Sequence, residues 1–183
     1  MNSVKEEKLY IALVDTPGIF AYMIHKNLKQ KYIHVVLSFD PKLSEAYSVG
    51  RRMVEIPFFA GFEREQIFRI SRKYKGADYK IVELPCTKEQ KLQVVDRLRK
   101  QYLTRFKIHY SIIGLIPLVF NKEFYHKNYY TCSSYIARVL MEEGIIDFNK
   151  HFSLVTPKDF YQLDLACIYE GPLSKFVEKL NEE

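Results

Sequence analysis

Cys132 is the side chain in this sequence whose surroundings best suit nucleophilic chemistry. It follows Thr131 in the segment YTCSSY (130–135), where the threonine can cap a helix that begins at the cysteine. Backbone N–H groups and the helix dipole favour a thiolate at such a position, so we expect a lowered pKa for this thiol. The same N–H groups are donors for an oxyanion. Cys132 is therefore the candidate nucleophile; the alternative is a small buried residue on a core helix.

A thiol nucleophile needs a base, and the histidines that could supply it are His25, His34, His109, His126 and His151. His34 is the best placed, because it opens the apolar run VVL (35–37) and its ring can face a cleft while the strand is anchored in the core. The alternative is a strand-end histidine that binds a backbone carbonyl. His25 and His126 stand among lysines, which indicates exposed positions.

A third polar group usually holds the imidazole of such a pair, and Glu45 is the candidate for this role. It lies on the strand that we expect to pair with the strand of His34, and alternation places Glu45 and Tyr47 on one face of it. Tyr47 is the candidate for a second oxyanion donor, beside the backbone N–H of Cys132. A solvated glutamate on a strand is the alternative reading of Glu45.

The elements that must position these residues can be read from the hydrophobic pattern. In the N-terminal half it predicts strands at Lys8–Val14 and Ala77–Leu84, a helix at Ile19–Leu28, a hairpin of Ile33–Phe39 with Leu43–Val49, and a long loop over Gly50–Phe68. The Asp40-Pro41 pair suits the turn of the hairpin.

The C-terminal half carries two strong helix patterns. The first covers Lys88–Phe106, has Thr87 and Gln90 in capping-box positions, and places Leu92, Val95, Leu98 and Tyr102 on its apolar face. The second begins at Cys132 and ends near Glu143, before Gly144. The pattern also predicts an apolar segment at Ile112–Phe120 that crosses or lines the core and a strand at Leu165–Tyr169. Together these elements predict a single α+β domain over residues 1–183, with an antiparallel sheet packed against helices.

Three blocks of the sequence resemble a known family, the permuted NlpC-type papain-like hydrolases, which include the YiiX and YaeF-like group. The blocks are YIHVVL (32–37), LSEAYSVGRR (43–52) and YTCSSYIA (130–137), and the resemblance covers most of the chain. In that family the histidine precedes the cysteine. The resemblance implies a circularly permuted papain-like fold in which Cys132 is the nucleophile, His34 the base and Glu45 the orienting residue, with Tyr47 or Ser48 as alternatives for this third position.

The resemblance implies a cysteine amidase or peptidase that acts through a thioester and needs no cofactor. The expected substrate is a small peptide, an amide or an acyl-lipid. Two alternatives are a lecithin-retinol-acyltransferase-like acyl transferase and a non-catalytic binding module with the same fold. The sequence does not indicate an oligomeric state.

Composition and charge limit the other classes of function. The formal charge is +6, but acidic residues are interleaved with the basic ones, so we expect no specific nucleic-acid partner. The N-terminal apolar run is too short for a signal peptide, and no run is long enough to span a membrane, so we expect a cytoplasmic protein. Cys86, Cys132 and Cys167 are an odd number without metal-like spacing, so we expect neither a disulfide framework nor a zinc site, and we expect Cys86 and Cys167 to be structural.

Overall fold

The computed structural model describes residues 6–17, 31–53, 56–111 and 122–182. Across these residues the strands are β1 (Glu6–Asp15), β2 (His34–Ser38), β3 (Ala46–Met53), β4 (Ile56–Arg64), β5 (Asp78–Thr87), β6 (His109–Tyr110), β7 (Tyr129–Tyr130) and β8 (Cys167–Pro172). The α-helices are α1 (Ile67–Lys73), α2 (Lys88–Leu103), α3 (Cys132–Glu142), α4 (Pro157–Tyr161) and α5 (Leu173–Glu182). Short 3-10 helices occupy Arg105–Lys107 and Phe152–Leu154.

The described strands form one sheet in the order β7-β6-β4-β3-β2-β1-β5-β8. Neighbouring strands are antiparallel, except that β6 and β7 are parallel. The long strand β1 lies between β2 and β5 and places Val14 opposite both His34 and Tyr79. The prediction of an α+β fold with an antiparallel sheet packed against helices is confirmed.

The helices cover both faces of this sheet, and β2 shows how the strands serve the two sides. Val35 and Leu37 pack in the larger apolar cluster with α2 and α3, whereas Val36 packs in the smaller cluster with α1 and α5. This alternation follows from the two-residue period of a strand. The head of α3, which carries Cys132, is thereby pressed onto the strand that begins at His34.

Aromatic rings join α3 to the sheet in the larger cluster. The Phe62 ring stacks on Tyr47, with centroids 5.6 Å apart, and packs against Tyr135 of α3, with centroids 4.9 Å apart. All three side chains are buried. Buried aromatic pairs of this kind contribute about 0.5–1.5 kcal/mol beyond the burial of their area, so α3 is held firmly against β3 and β4.

The predicted hairpin of β2 and β3 is confirmed, and Asp40 explains its turn. The Asp40 carboxylate accepts the backbone N–H groups of Lys42, Ser44 and Glu45 at 2.9, 3.1 and 3.1 Å. Leu43 adopts a φ of 56°, a conformation that few residues other than glycine adopt, and its side chain is buried. The turn therefore fixes the register in which Leu37 faces Tyr47.

The structure differs from the predicted elements in several places. The prediction of a loop over Gly50–Phe68 is wrong. Strand β3 continues through Gly50, and β4 pairs with it so that Gly50 lies opposite Gly61. Glycine and proline interrupted the sequence pattern without ending the strands. The C-terminal strand begins at Cys167, two residues later than expected.

The capping box predicted at Thr87 and Gln90 is confirmed at the start of α2, and this helix ends at Leu103. Of its predicted apolar face, Leu98 is buried and Val95 and Tyr102 pack against the larger apolar cluster, whereas Leu92 is 58% exposed. The predictions for Ile19–Leu28 and Ile112–Phe120 lie outside the described residues. Within the described ranges, no helix combines the length and the apolar character needed to cross a bilayer.

Candidate functional site

The candidate site lies where β2 and β3 separate. Among the described residues, these strands pair at Leu37 with Tyr47 and at Ser38 with Ala46, and no further pair continues toward His34. Beyond this point a side chain bridges the strands, because the Ser48 hydroxyl donates to the Val35 carbonyl oxygen at 2.7 Å. The start of β2 therefore has polar backbone groups that face side chains instead of a neighbouring strand.

Cys132 meets β2 at this opening. It is the first residue of α3, and Thr131 caps the helix in a reciprocal capping box with Ser134. The Cys132 sulfur lies 3.9 Å from the Ile33 carbonyl oxygen, and the Val35 N–H also points at it. The sulfur thus contacts the backbone of the residues on both sides of His34.

The thiol pKa differs from the sequence-based expectation. Burial raises the pKa of Cys132 to about 11, although the N–H groups of Val35, Ser133 and Cys132 itself lower it. The side chain is only 4% exposed, so desolvation of the thiolate outweighs the effect of the helix N-terminus. The prediction of a lowered pKa is wrong, and at neutral pH this thiol keeps its proton.

The His34 ring is held between Ser48 and Gly50. Its Nε2 lies 3.1 Å from the Ser48 Oγ. A Cβ placed on Gly50 would lie 2.9 Å from the His34 Cε1 and 3.4 Å from Nε2, so the ring occupies the space that a side chain at position 50 would need. Ser48 and Gly50 stand two residues apart in the segment YSVG and therefore lie on one face of the strand, which is the sequence signal for this contact.

Glu45 does not contact His34. Its carboxylate binds Arg99 of α2 through two hydrogen bonds, at 2.8 and 2.6 Å, and Arg99 lowers the pKa of Glu45. The backbone carbonyl of Glu45 accepts the N–H of Phe39. Phe39 lies five residues after His34, which corresponds to about 16 Å at 3.3 Å per residue of extended chain. The structure therefore corrects the placement of Glu45 as the group that orients the imidazole.

The Tyr47 side chain is engaged by other groups of the protein. Its hydroxyl donates to the Glu45 carboxylate at 2.9 Å, and burial raises its pKa to about 12. The ring packs among Phe39, Phe62 and Tyr102 in the larger apolar cluster. The single hydroxyl proton is thus used within the protein, and the placement of Tyr47 as an oxyanion donor is corrected as well.

A group that the sequence did not reveal anchors the chain just before His34. The buried Tyr32 donates its hydroxyl to Glu170 of β8 at 2.8 Å. Lys31 and Lys80 bind the same carboxylate at 3.2 and 3.1 Å. The hydrogen bond from Tyr32 is the largest cause that lowers the pKa of Glu170 to about 2. The carboxylate stays charged at neutral pH and fixes the chain two residues before His34.

The remaining cysteines and histidines lie elsewhere. Cys86 is buried and Cys167 is exposed. His109 stacks on Tyr129, His126 is exposed as expected, and His151 caps a 3-10 helix through Ser153. His25 lies outside the described residues. In the described part of the chain, no group of three or more His, Cys, Asp and Glu side chains could hold a metal ion.

Comparison with protein-family models, with curated proteins and with solved structures found no match to this chain.

Proposed function

We propose that this protein is a cysteine hydrolase of amides or esters, with Cys132 as nucleophile and His34 as base, on a circularly permuted papain-like fold. One observation carries the proposal: the sulfur at the head of α3 lies against the backbone on both sides of His34. The order of histidine before cysteine supports the permuted arrangement. The open ladder between β2 and β3 supports it too, because it frees polar groups beside the thiol.

The thiol is protonated at rest, so the reaction begins with general-base assistance rather than with a preformed thiolate. His34 takes the proton of Cys132 while the sulfur attacks the carbonyl carbon of the substrate. The imidazolium gives this proton to the departing amine or alcohol, and the acyl group remains on the sulfur as a thioester. Water then attacks the thioester, its proton passes through His34 to the sulfur, and the acid leaves.

The charge that develops on the carbonyl oxygen needs donors near the sulfur. The backbone N–H groups of Cys132 and Ser133 lie at the head of α3 and point toward the sulfur. Donors of this kind commonly lower an acyl-transfer barrier by about 3 kcal/mol each, because they are already oriented before charge develops. The start of α3, whose lowering effect on the thiol pKa is outweighed by burial, thus has a role in the proposed transition state.

Turnover of a substrate series tests this proposal. The series pairs amides with esters and increases the size of the acyl group, because the nearly buried sulfur should admit small acyl groups first. We expect Cys132→Ala to abolish turnover. Cys86→Ala is the matched control, since it truncates another buried cysteine and should leave turnover unchanged. Undiminished turnover by folded Cys132→Ala would refute the proposal.

A further inference from the structure

The hydrogen bonds of Ser48 determine which nitrogen of His34 carries a proton. The Ser48 Oγ lies 2.7 Å from the Val35 carbonyl oxygen, a normal length for an O–H···O hydrogen bond. A carbonyl oxygen can only accept, so the one hydroxyl proton of Ser48 points at Val35. The same Oγ lies 3.1 Å from the His34 Nε2, and toward that nitrogen the oxygen has only lone pairs to offer.

A contact between a lone pair on Ser48 and the His34 Nε2 is favourable only when Nε2 carries a proton. A neutral imidazole has one N–H, so a proton on Nε2 leaves the lone pair on Nδ1. The alternative, with the Ser48 proton turned to Nε2, would leave two acceptor oxygens 2.7 Å apart in a buried site.

We propose that Ser48 is a positioning residue that holds His34 as its Nε2–H tautomer, so that Nδ1 keeps the lone pair with which the proposed base acts. The catalytic part of this inference rests on the proposed function, whereas the tautomer does not. Ser48 thus has the role that sequence analysis gave first to Glu45. Val35 links the two halves of the site, because its N–H points at the sulfur and its carbonyl accepts from Ser48.

Nitrogen NMR of histidine-labelled protein tests the tautomer without any substrate. At a pH where the ring is neutral, we expect the wild-type His34 to carry its proton on Nε2, and a His34→Gln sample assigns its signals. In Ser48→Ala we expect a mixture of the two tautomers. Ser48→Thr keeps the hydroxyl and should restore the Nε2–H form. A wild-type proton on Nδ1, or an unchanged tautomer in Ser48→Ala, would overturn the inference.

Ser38→Ala is the matched control for loss of a buried hydroxyl. Ser38 is fully buried on β2 and donates to the Asp40 carbonyl oxygen at 2.8 Å, at the other end of the strand from His34. We expect the acylation rate of Cys132 to fall about 10-fold to 100-fold in Ser48→Ala and less than about twofold in Ser38→Ala. A changed tautomer with an unchanged rate would overturn the catalytic part alone. A changed tautomer in a protein that turns over no substrate would instead count against the proposed function.

Discussion

Replacing Gly50 by alanine perturbs the His34 ring without removing any polar group of the site. The new Cβ would lie 2.9 Å from the His34 Cε1, whereas carbon atoms in contact prefer about 3.5 Å or more. The ring must therefore move by about 0.6 Å. Gly50 does not have a positive φ, so the alanine backbone itself is unstrained. The change acts through the contact with His34.

A shift of this size changes the geometry of the 3.1 Å contact between the His34 Nε2 and Ser48. Misplacement of a catalytic group by about 1 Å can lower a rate by about 100-fold, so we expect a loss of about 10-fold or more in Gly50→Ala. The assay is the acylation rate of Cys132 by a small activated ester, measured by mass spectrometry, with the His34 ring signals followed by NMR.

Gly76→Ala is the control for this substitution. A Cβ on Gly76 would have Pro17 as its nearest neighbour, at an ordinary contact distance of 3.8 Å, so we expect wild-type acylation. The reasoning fails if Gly50→Ala shifts the His34 signals and yet acylates Cys132 at the wild-type rate. It also fails if the two alanine variants lose the same amount of activity.

Three further predictions concern the groups around the site. Because the pKa of Cys132 is about 11, only about one thiol in ten thousand is ionised at pH 7. Alkylation of Cys132 by iodoacetamide should therefore rise about tenfold per pH unit up to pH 10. A plateau near pH 7 would indicate a preformed ion pair. Glu45→Gln weakens the contact with the exposed Arg99, so denaturant titration should show a loss below about 1 kcal/mol with unchanged acylation of Cys132. Tyr32→Phe removes a hydrogen bond to the charged Glu170 and should lower the free energy of unfolding by about 1.5–3 kcal/mol, and an unchanged stability would argue against this anchor.

The sequence predicted the parts of the fold that local chemistry determines. The Asp40 turn, the capping box of α2 and the start of α3 at Cys132 each depend on a few neighbouring residues, and each is confirmed. The sequence did not predict β4, because its glycine interrupts the strand pattern. In the structure Gly50 and Gly61 lie opposite each other within the antiparallel pair of β3 and β4. Only the pairing of distant residues reveals this.

The placement of Glu45 failed because sequence alternation does not tell which strand face His34 shares. That face depends on the register of β2 and β3, which the turn at Asp40 and Leu43 determines. Ser48 and Gly50 then meet the His34 ring, and Glu45 meets Arg99. The prediction of a lowered pKa for Cys132 failed for a similar reason, because burial by distant parts of the chain outweighs the effect of the helix N-terminus.

The most direct measurement compares acylation of Cys132 and Cys167 within one chain by peptide mass spectrometry, in wild type and in His34→Gln. Cys132 is nearly buried with a raised pKa, and Cys167 is exposed, so without assistance Cys167 should react first. We predict that wild-type Cys132 acylates faster than Cys167 and that His34→Gln abolishes this advantage while Cys167 reacts as before. Slower acylation of Cys132 than of Cys167 in the wild type, or an advantage that survives loss of His34, would contradict a nucleophile that depends on this histidine.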